Sequence, residues 1–323
     1  MNSVATIAQM ELRDMVRARF SPIVLGFLLL TMLSSIVIAS LSFGVKMDEF
    51  IAYSQALVAS GNQVDAATPQ LFPLQLMRGG IEYLEVLGAL FAIVIGYASV
   101  AKEKQRGTLN LLYSRPIGRF ALWGGKTVAL SLFWMVFTLV TFTLSLAAVV
   151  IVGHGHLAGI DLVRVLLAVC STWAYLMFWT GLAMGITASS SNLNFALVVS
   201  LALWLLVVLV IPQIGDTMDP DNQVPGGLFN SLQIAKADEN AVLENFASYN
   251  NARDGLEVSS VTKHFERFVF GFLGIKDKYN QLPIADVWSA LSLNAYVLAA
   301  FALGSQIFSF FSLQPTSLLR KAR

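Results

Sequence analysis

The sequence is poor in charged residues, and this scarcity is its most informative absence. Only 13% of the 323 residues are Asp, Glu, Lys or Arg, whereas 56% are hydrophobic. In soluble globular domains about a quarter of the residues are charged. A soluble globular fold is therefore excluded, and the near-neutral net charge of +1 gives no reason to expect a nucleic-acid partner.

Reactive side chains are scarce as well. The one cysteine, Cys170, excludes an intrachain disulfide, and the chain has 3 histidines. His154 and His156 are two residues apart, but a tight metal site needs about three or four ligands, and only His264 remains. These residues offer no Ser/His/Asp or Cys/His arrangement. We therefore expect a chain with no catalytic residue, no metal site and no bound cofactor.

One motif resembles a nucleotide-binding element only in part. Gly124-Gly-Lys-Thr127 matches the end of a phosphate-binding loop, but Phe120 stands where the first glycine of that loop is needed. The motif also opens a long apolar run instead of following a strand. We interpret Lys126 as an anchor at the membrane interface, because such residues flank spanning helices.

Long apolar runs are what the sequence has in abundance, and several reach the roughly 20 residues that cross a bilayer as a helix. They are continuous and not alternating, which excludes spanning strands. The first run is too long for the apolar part of a cleavable signal peptide, so none is expected. The fold class is therefore an all-α polytopic membrane protein. Its six predicted transmembrane helices are residues 21–43, 81–101, 122–152, 161–188, 195–211 and 287–313.

Two segments outside these spans have helical patterns of their own. Residues 1–20 place apolar side chains at helical spacing between charges, which predicts a helix in the membrane interface; a solvated polar leader is the alternative. Residues 212–286 hold 11 acidic and 6 basic side chains and are predicted to form a helical cap, with helix-like spacing over 238–249. The apolar stripe over 261–272 is expected to pack on the bundle, on a second copy or on the outer leaflet.

The distribution of lysine and arginine predicts the orientation, because short cytoplasmic loops are enriched in these residues. Twelve of the 21 lie in residues 1–20, 102–126 and 320–323, whereas the short loops on the opposite side hold three. Both termini and the loop after span 2 are therefore expected in the cytoplasm, in a protein of the cell membrane. The predicted divisions are an interfacial helix, the body of spans 1–5, an extracytoplasmic cap, and span 6 with a basic cytoplasmic tail, at residues 1–20, 21–211, 212–286 and 287–323.

The predicted spans have no charged residue near their centres. Charged side chains inside spans usually mark proton relays or ion paths. Their absence disfavours a proton- or sodium-coupled carrier and an ion channel lined by acidic rings. Glu82 and Glu85 lie one helical turn apart near the outer end of span 2, where they either line an exit path or are simply solvated.

The densest charge of the chain is a basic island, residues 102–119, between spans 2 and 3. It reads Lys-Glu-Lys-Gln-Arg-Gly-Thr-Leu-Asn-Leu-Leu-Tyr-Ser-Arg-Pro-Ile-Gly-Arg. Thr108 can cap a short amphipathic helix whose leucines face the bundle, and Pro116 would end that helix. Such a helix suits docking into the groove of a partner; an ordinary positively charged cytoplasmic loop is the alternative.

The island resembles the signature of ABC-2 type transporter permeases, which commonly reads like E-R-E-x-G-T-L-E-x-L-L-S-R-P-V-S-R. The segment Glu11-Leu-Arg-Asp14, with Arg17 and Arg19, is also similar to the start of these permeases. The similarity is greatest to the branch that includes the membrane subunit of the nitrous-oxide-reductase maturation transporter. The chain departs from the signature at Gln105 and Asn110, where acids are usual.

The resemblance implies a transmembrane subunit that has no ATPase domain of its own. Two copies would form the pathway, two separate ATPase subunits with ATP and Mg would dock beneath them, and residues 4–20 would be an interfacial elbow helix. The implied coupling helix would use Glu103, Lys104, Arg106, Gly107, Thr108, Leu109, Leu112, Arg115, Pro116 and Arg119. The implied pathway candidates on spans 2 and 5 are Phe91, Tyr97, Trp204 and Leu205, beside Glu82 and Glu85.

These expectations describe the permease subunit of an ATP-driven exporter. The apolar spans suggest a hydrophobic or lipidic substrate. The alternative is an assembly or maturation factor that uses the same membrane body to act mechanically on an extracytoplasmic protein through residues 212–286. A carrier driven by an ion gradient alone is disfavoured by the uncharged spans.

Overall fold

Helices make up nearly all of the computed structural model, and no strand occurs among the residues it describes. The described residues are 3–18, 20–60, 72–106, 118–153, 155, 157–218, 227–234, 247–280 and 282–313. A helix satisfies its backbone hydrogen bonds within one segment, which is what an apolar run in lipid requires. The all-α fold class is confirmed.

Within the described residues, six helices are long and apolar enough to cross a membrane. This number agrees with the six predicted spans and makes the chain a multi-pass membrane protein. From span 1 to span 6 the helices are Ser21–Ala59, Pro73–Gln105, Phe120–Ile151, Gly159–Ser189, Leu193–Thr217 and Ile284–Ser312. Following the expected orientation, we call the end of the bundle that carries the island the inner end and the opposite end the outer end.

Span 1 is longer than its sequence pattern predicts. Its helix covers Phe20–Ala59, which is 40 residues. At about 1.5 Å per residue it is about 60 Å long, twice the roughly 30 Å of hydrocarbon that it has to cross. The sequence pattern assigns residues 44–80, between predicted spans 1 and 2, to a polar loop, and this assignment is wrong for residues 44–59. This stretch contains no proline, and eight of its 16 residues are Ala, Leu, Met, Lys, Gln or Glu, which favour a helix in any solvent.

Span 2 also starts earlier than predicted. It opens with a 3-10 turn at Pro73–Met77 and continues through a short α-helix at Arg78–Tyr83. Proline fits the first helical turn because that position needs no N–H donor. A Cβ on Gly80 would lie 3.1 Å from Ile36 Cδ1 of span 1, so this glycine serves close helix packing and not a loop.

Span 4 occupies the centre of the bundle, in contact with spans 2, 3 and 6. Tyr175 and Trp179 in its middle are fully buried. Thr180 accepts a hydrogen bond from Trp134 Nε1 of span 3 at 2.9 Å. A Cβ on Gly96 of span 2 would lie 2.5 Å from the Thr180 carbonyl oxygen, so only glycine permits this approach of spans 2 and 4.

Spans 2 and 5 each contain a widened π-helical turn towards the outer end, at Leu84–Gly88 and Leu205–Val210. The two turns contact each other. A π turn interrupts the regular hydrogen-bond ladder of a helix and frequently occurs at functional positions. Its irregular spacing also changes which side chains share a helical face.

Two helices outside the spans pack on the bundle. The N-terminal helix, Ser3–Arg17, lies against the start of span 3 and buries Ile7, Ala8, Glu11 and Met15. The prediction of a helix in residues 1–20 is thus correct for Ser3–Arg17. Its location in the membrane interface stays a prediction.

The outer helix, Val261–Phe272, contacts spans 4 and 6 and is almost completely buried. Its limits are those of the apolar stripe in the sequence, and of the three surfaces considered for that stripe it packs on the bundle. A second helix, Ala247–Val258, precedes it. The helix expected over 238–249 falls largely outside the described residues, and the extracytoplasmic location of residues 212–286 stays a prediction.

Candidate functional site

The island begins on the end of a continuous helix. The last α-helical part of span 2 covers Ala89–Arg106 and so includes the first residues of the island. Lys102, Glu103 and Lys104 each bond to a different part of the molecule. Successive residues on a helix point roughly 100° apart, since a turn holds about 3.6 residues, and this is why three neighbours reach three partners.

Glu103 shares one lysine with Glu11 of the N-terminal helix. Lys126 Nζ of span 3 lies 2.7 Å from Glu103 Oε1 and 2.6 Å from Glu11 Oε1. It also donates a hydrogen bond to the carbonyl of Ser99 at 2.8 Å. The side chains of Lys126 and Glu11 are only 0% and 1% exposed. The interpretation of Lys126 as an interface anchor is therefore wrong: it is buried, because two carboxylates compensate its charge.

Lys102 extends this cluster along the N-terminal helix. Its Nζ lies 2.6 Å from Glu11 Oε2 and 3.3 Å from Asp14 Oδ2. Burial raises the pKa of Glu11, but the charges of Lys126 and Lys102 and their hydrogen bonds outweigh burial, so this pKa lies below its ordinary value. Glu11 is therefore held as a carboxylate between spans 2 and 3. We call Glu11, Lys102, Glu103 and Lys126 the inner ion cluster.

The glycines of Gly124-Gly-Lys-Thr127 bring this cluster together. A Cβ on Gly125 would lie 2.6 Å from Ile7 Cβ, so any side chain there would push the N-terminal helix away from span 3. Glu11 follows Ile7 by one helical turn and therefore faces the same span. The motif therefore serves close helix packing and positions Lys126 for its ion pairs. It lacks the first glycine that a phosphate-binding loop needs.

Lys104 points away from the inner ion cluster and binds the inner end of span 4. Its Nζ donates hydrogen bonds to the carbonyls of Thr187, Ala188 and Ser190 at 2.9, 2.7 and 2.8 Å. The last carbonyls of a helix have no intrahelical donors and carry partial negative charge, so a lysine is favourable there. This contact joins the base of the island to the turn between spans 4 and 5.

The remaining coupling candidates lie in or beside the part of the island outside the described residues. Arg106 and Arg119 are the last and first residues of their helices, and their side chains are not described. Outside the described residues are Gly107, Thr108, Leu109, Leu112, Arg115 and Pro116. The coupling helix therefore stays a prediction, and the two candidates whose side chains are described, Glu103 and Lys104, bind within the chain.

Glu82 and Glu85 lie in different surroundings. Glu82 is exposed, pairs with Arg78 at 2.9 Å and lines a cavity of about 460 Å³ between spans 1 and 2. Glu85 is buried in the π turn of span 2. The alternative that both are simply solvated is therefore wrong for Glu85.

The other pathway candidates divide between the two ends of the bundle. Trp204 donates its indole N–H to the carbonyl of Val86 at 3.1 Å and so joins spans 5 and 2 at their π turns. Leu205, the next residue, is 50% exposed. Phe91 of span 2 is half-buried and lies about one turn closer to the inner end than Val86. Tyr97 instead lines a cavity of about 590 Å³ at the inner end, next to the N-terminal helix. A role of these residues in a pathway stays a prediction.

The outer helix is bonded to the carbonyls of both π turns, directly or through span 4. Ser260, which precedes the outer helix, donates its hydroxyl hydrogen to the carbonyl of Val207 in span 5 at 2.9 Å. Tyr175 of span 4 donates to the carbonyl of Glu85 in span 2 at 2.9 Å. The Tyr175 hydroxyl also lies 3.2 Å from Thr262 Oγ1 of the outer helix. Spans 2, 4 and 5 and the outer helix therefore meet at one point.

Aromatic and amide contacts complete this outer attachment. The Tyr175 ring stacks on Phe265 with centroids 4.4 Å apart and planes 13° apart. His264 is buried; its Nδ1 lies 2.8 Å from Asn294 Oδ1 of span 6, and its Nε2 lies 2.9 Å from the Val258 carbonyl. Both ring nitrogens are thus engaged in protein contacts, and the described residues include no cluster of metal-ligating side chains.

Sequence reasoning missed the inner ion cluster, although one signal for it was present. Glu11 occupies the same helical face as Ile7, Ala8 and Met15, the face that the N-terminal helix buries. A single acid on an apolar face needs a buried base, and Lys126 is the one fully buried lysine of the described residues. Nothing comparable marks Tyr175, because an aromatic residue in an apolar run looks like ordinary core.

The fold and this site define a multi-pass helical membrane protein whose basic island is attached to the bundle by buried charges. The chain belongs to the ABC-2 transporter family: the family model described as ABC-2 family transporter protein matches residues 5–312. The match includes all six spans and the island. None of the curated proteins matches the chain. Members of this family are membrane permease subunits of ABC exporters, typically non-catalytic and associated with ABC ATPases.

Proposed function

We propose that this chain is the permease subunit of an ATP-driven exporter in the cell membrane, with both termini in the cytoplasm. Two copies form the pathway, and two ABC ATPase subunits dock on the island from the cytoplasmic side. The ATPase subunits bind ATP and Mg and supply the energy. The permease chain itself catalyses no reaction and binds no cofactor.

The observation that carries this proposal is the continuous helix that leads from span 2 into the island, in a chain of the ABC-2 family. A docked ATPase can move a bundle only through a stiff connection. Between Tyr97 and Arg106 this helix contains neither glycine nor proline, the residues at which helices most often kink. A displacement of the island is therefore transmitted along span 2.

The distribution of charge within the spans supports a hydrophobic or lipidic substrate. Charged side chains of the described spans lie at the inner end, as in the inner ion cluster, or towards the outer end, as at Glu82 and Glu85. The apolar middle offers little to a strongly charged solute, because desolvating a charge there without a partner costs several kcal/mol. We assign Glu82, which lines the cavity between spans 1 and 2, to the outer part of such a path.

Docking is tested by purifying the tagged chain from its native membranes and measuring which ATPase accompanies it. We expect an ABC ATPase to co-purify with the natural chain and to be lost from a Leu109→Asp/Leu112→Asp variant of the island. Lys46→Glu, an exposed change on the outer extension of span 1, serves as the control and should retain the ATPase. Charge reversal at Glu103 is unsuitable, because it would break the buried pair with Lys126 and not only a docking contact.

The proposal is wrong if no ATPase accompanies the natural chain, or if the island variant retains it at the control level. The island variant must remain correctly inserted for this comparison. Its yield and size-exclusion profile should therefore match those of the Lys46→Glu control.

A second candidate function is mechanical action on an extracytoplasmic protein, as in the maturation branch that the sequence resembles. The observation that favours it is the attachment of the outer helix to the π turns of spans 2 and 5 and to spans 4 and 6. Motion of these spans therefore reaches residues 247–272, whether or not a substrate crosses the membrane.

Photo-crosslinking from the outer segment distinguishes the two functions. A photoreactive residue at Tyr249 or Val258, both exposed, would contact an extracytoplasmic partner, whereas one at buried Phe265 would contact only the chain itself. Capture of one defined protein from the two exposed positions supports mechanical action. Capture of lipid alone supports the exporter.

A further inference from the structure

We infer that the first residues of the island make two kinds of contact with the bundle: a rigid joint that stays intact when the island moves, and a releasable contact that breaks. The rigid joint is the inner ion cluster, in which Lys126 and Glu11 act as positioning residues that hold span 3 and the N-terminal helix to span 2. The releasable contact is the one between Lys104 and the inner end of span 4. This inference rests on the proposed function, because docked ATPase subunits must supply the movement.

The rigidity of the joint follows from the burial of its charges. Lys126 and Glu11 are essentially inaccessible to water, and the Glu103 side chain is 10% exposed. Separating one partner would leave an unpaired buried charge, which typically costs about 3–5 kcal/mol. Two carboxylates from different helices share the same ammonium, so neither helix can shift alone without breaking the cluster.

Packing beside the cluster adds to this rigidity. The side chain of Ile7 packs against Gly125 of span 3, where a Cβ would lie 2.6 Å from Ile7 Cβ. Lys102 of span 2 binds Glu11 Oε2, whereas Lys126 of span 3 binds Glu11 Oε1. The carboxylate is therefore bound to both spans at once. The N-terminal helix, the end of span 2 and the start of span 3 are therefore one body.

The contact of Lys104 is different in kind. Its ammonium binds three neutral carbonyls at a helix end and has no carboxylate partner among the described residues. Thr187 and Ala188 lie at the end of the helix of span 4, and Ser190 begins the turn, whose next residues, Ser191 and Asn192, are exposed. Lys104 is itself 8% exposed, but its hydrogen bond to Ser190 lies at the partly exposed rim of this turn. A displacement towards the rim lets water solvate both the ammonium and the carbonyls, so breaking this contact does not leave the charge unsolvated.

The consequence is a defined line of movement. Span 4 is the centre of the bundle and carries Tyr175, to which the outer helix is attached. Release at Lys104 would let the inner ends of span 2, span 3 and the N-terminal helix move away from the inner end of span 4, while the hydrogen bonds of Thr180 and Tyr175 hold the spans together further out. The stroke of the ATPase would then appear as a separation of the inner ends of spans 2 and 4, and not as bending within the joint.

The test measures two intrachain distances by spin labelling in the purified complex with its ATPase. Cys170 is the one cysteine of the chain, so a Cys170→Ser background allows labels at chosen positions only. Pair A joins Arg13→Cys on the N-terminal helix to Gln105→Cys at the end of span 2. Pair B joins Gln105→Cys to Ser191→Cys beside span 4. All three positions are exposed, and an excess of unlabelled chain removes distances between copies.

Both pairs are compared without nucleotide and after trapping with ATP, Mg and vanadate. We expect pair A to remain within roughly 1 Å, the backbone movement of rigid complexes, and pair B to shift by more than that. The inference is overturned if pair A shifts as much as pair B, or if pair B is constant while the complex hydrolyses ATP. Absence of a co-purifying ATPase would instead refute the proposed function, and the inference with it.

Two variants separate the joint from general packing. Glu11→Leu/Glu103→Leu/Lys126→Met replaces the cluster by apolar side chains, a change that buried ion networks can tolerate without unfolding. In this variant pair A should broaden and shift on trapping; a narrow, constant pair A would show that packing alone makes the joint. Lys104→Met should move pair B in the nucleotide-free complex towards its trapped distance, and an unchanged pair B would refute the role of Lys104.

Discussion

The two ends of the bundle are held together by different chemistry. At the inner end, Lys126 joins Glu11 to Glu103, and the N-terminal helix is fastened by full charges. At the outer end, Tyr175 and Ser260 attach the outer helix by buried neutral hydrogen bonds, and its ion pairs, Arg267 with Glu257 and Lys263 with Asp216, are partly exposed. Both attachments connect elements that are far apart in the sequence.

The difference predicts how each end responds to damage. A charge that loses its partner in an apolar interior is far more costly than a neutral group that does so. The inner end should therefore fail when its shared base, Lys126, is removed, whereas the outer end should weaken gradually. This suits an inner joint that stays closed and an outer attachment whose bonds are individually replaceable.

The largest effect is expected from Lys126→Ala. This change leaves Glu11 and Glu103 buried without their shared base, at a cost of about 3–5 kcal/mol of folding stability. Thermal unfolding of the purified chain in detergent, followed by size-exclusion, should show a strongly lowered midpoint or no folded protein. Lys46→Ala, which removes an exposed lysine, should leave the midpoint unchanged. Equal midpoints for the two variants would contradict the buried ion cluster.

A smaller effect is expected at the outer end from Tyr175→Phe. It removes one hydroxyl and leaves the Glu85 carbonyl and Thr262 without this contact, which costs about 1–3 kcal/mol for buried groups. The same unfolding measurement should show a partial decrease. Tyr296→Phe, at a 64% exposed position of span 6, is the matched control and should have no effect. A Tyr175→Phe loss as large as that of Lys126→Ala would erase the distinction between the two ends.

A still smaller effect is expected from Ser260→Ala. The change removes a single neutral hydrogen bond to Val207, worth about 0.5–1.5 kcal/mol. Hydrogen exchange of residues 261–272 should increase locally while the global unfolding midpoint decreases slightly. Ser289→Ala removes an exposed hydroxyl bond within span 6 and should change neither quantity. If hydrogen exchange is unaltered in Ser260→Ala, the bond to Val207 does not contribute to the attachment of the outer helix.

The last comparison concerns the loss of folding stability at low pH, and it has the smallest effect at ordinary pH. The pKa of Glu11 lies below its ordinary value of 4.5, because Lys126 and Lys102 outweigh the opposing effect of burial. A group with a lowered folded pKa contributes stability that is present above the ordinary value and is lost as pH falls through the folded value. The natural chain should therefore lose stability below about pH 4.5 more steeply than a Glu11→Gln variant.

Glu257 gives the matching measurement at the outer end. Burial raises its pKa, but Arg267, Lys263 and Arg253 lower it by more, so its pKa also lies below the ordinary value. Its contribution to folding stability is therefore lost as the pH falls, as for Glu11. Its side chain is 8% exposed, against 1% for Glu11. We expect Glu257→Gln to reduce the loss of folding stability at low pH by less than Glu11→Gln does. The reverse order would show that the main acid-sensitive attachment is at the outer end.

Much of the fold could be predicted because hydropathy is a local property. Six apolar runs give six spans, and the stripe over 261–272 gives the outer helix at its observed limits. The errors lie where local reading is ambiguous. Residues 44–59 were assigned to a loop, although they contain no proline and half of them are strong helix formers.

The candidate site was less accessible to prediction. The sequence located the island and suggested that its charges face a partner, but Glu103 and Lys104 bind within the chain. Glu85 was expected to line an exit path or to be solvated, but it is buried in a π turn. No local pattern reports such a turn, since it is stabilised by contacts such as that of Trp204 with Val86 from another span.

The class of protein, the number of spans and the family follow from the amino-acid sequence alone, because each depends on the composition of contiguous segments. Which charges are buried, and what they bind, depends on the packing of the helices. Glu11, Glu103 and Lys126 are far apart along the chain, and a buried charge is stable only where its partners meet it in space. That meeting is set by the packing of three helices, and residue order alone does not reveal it.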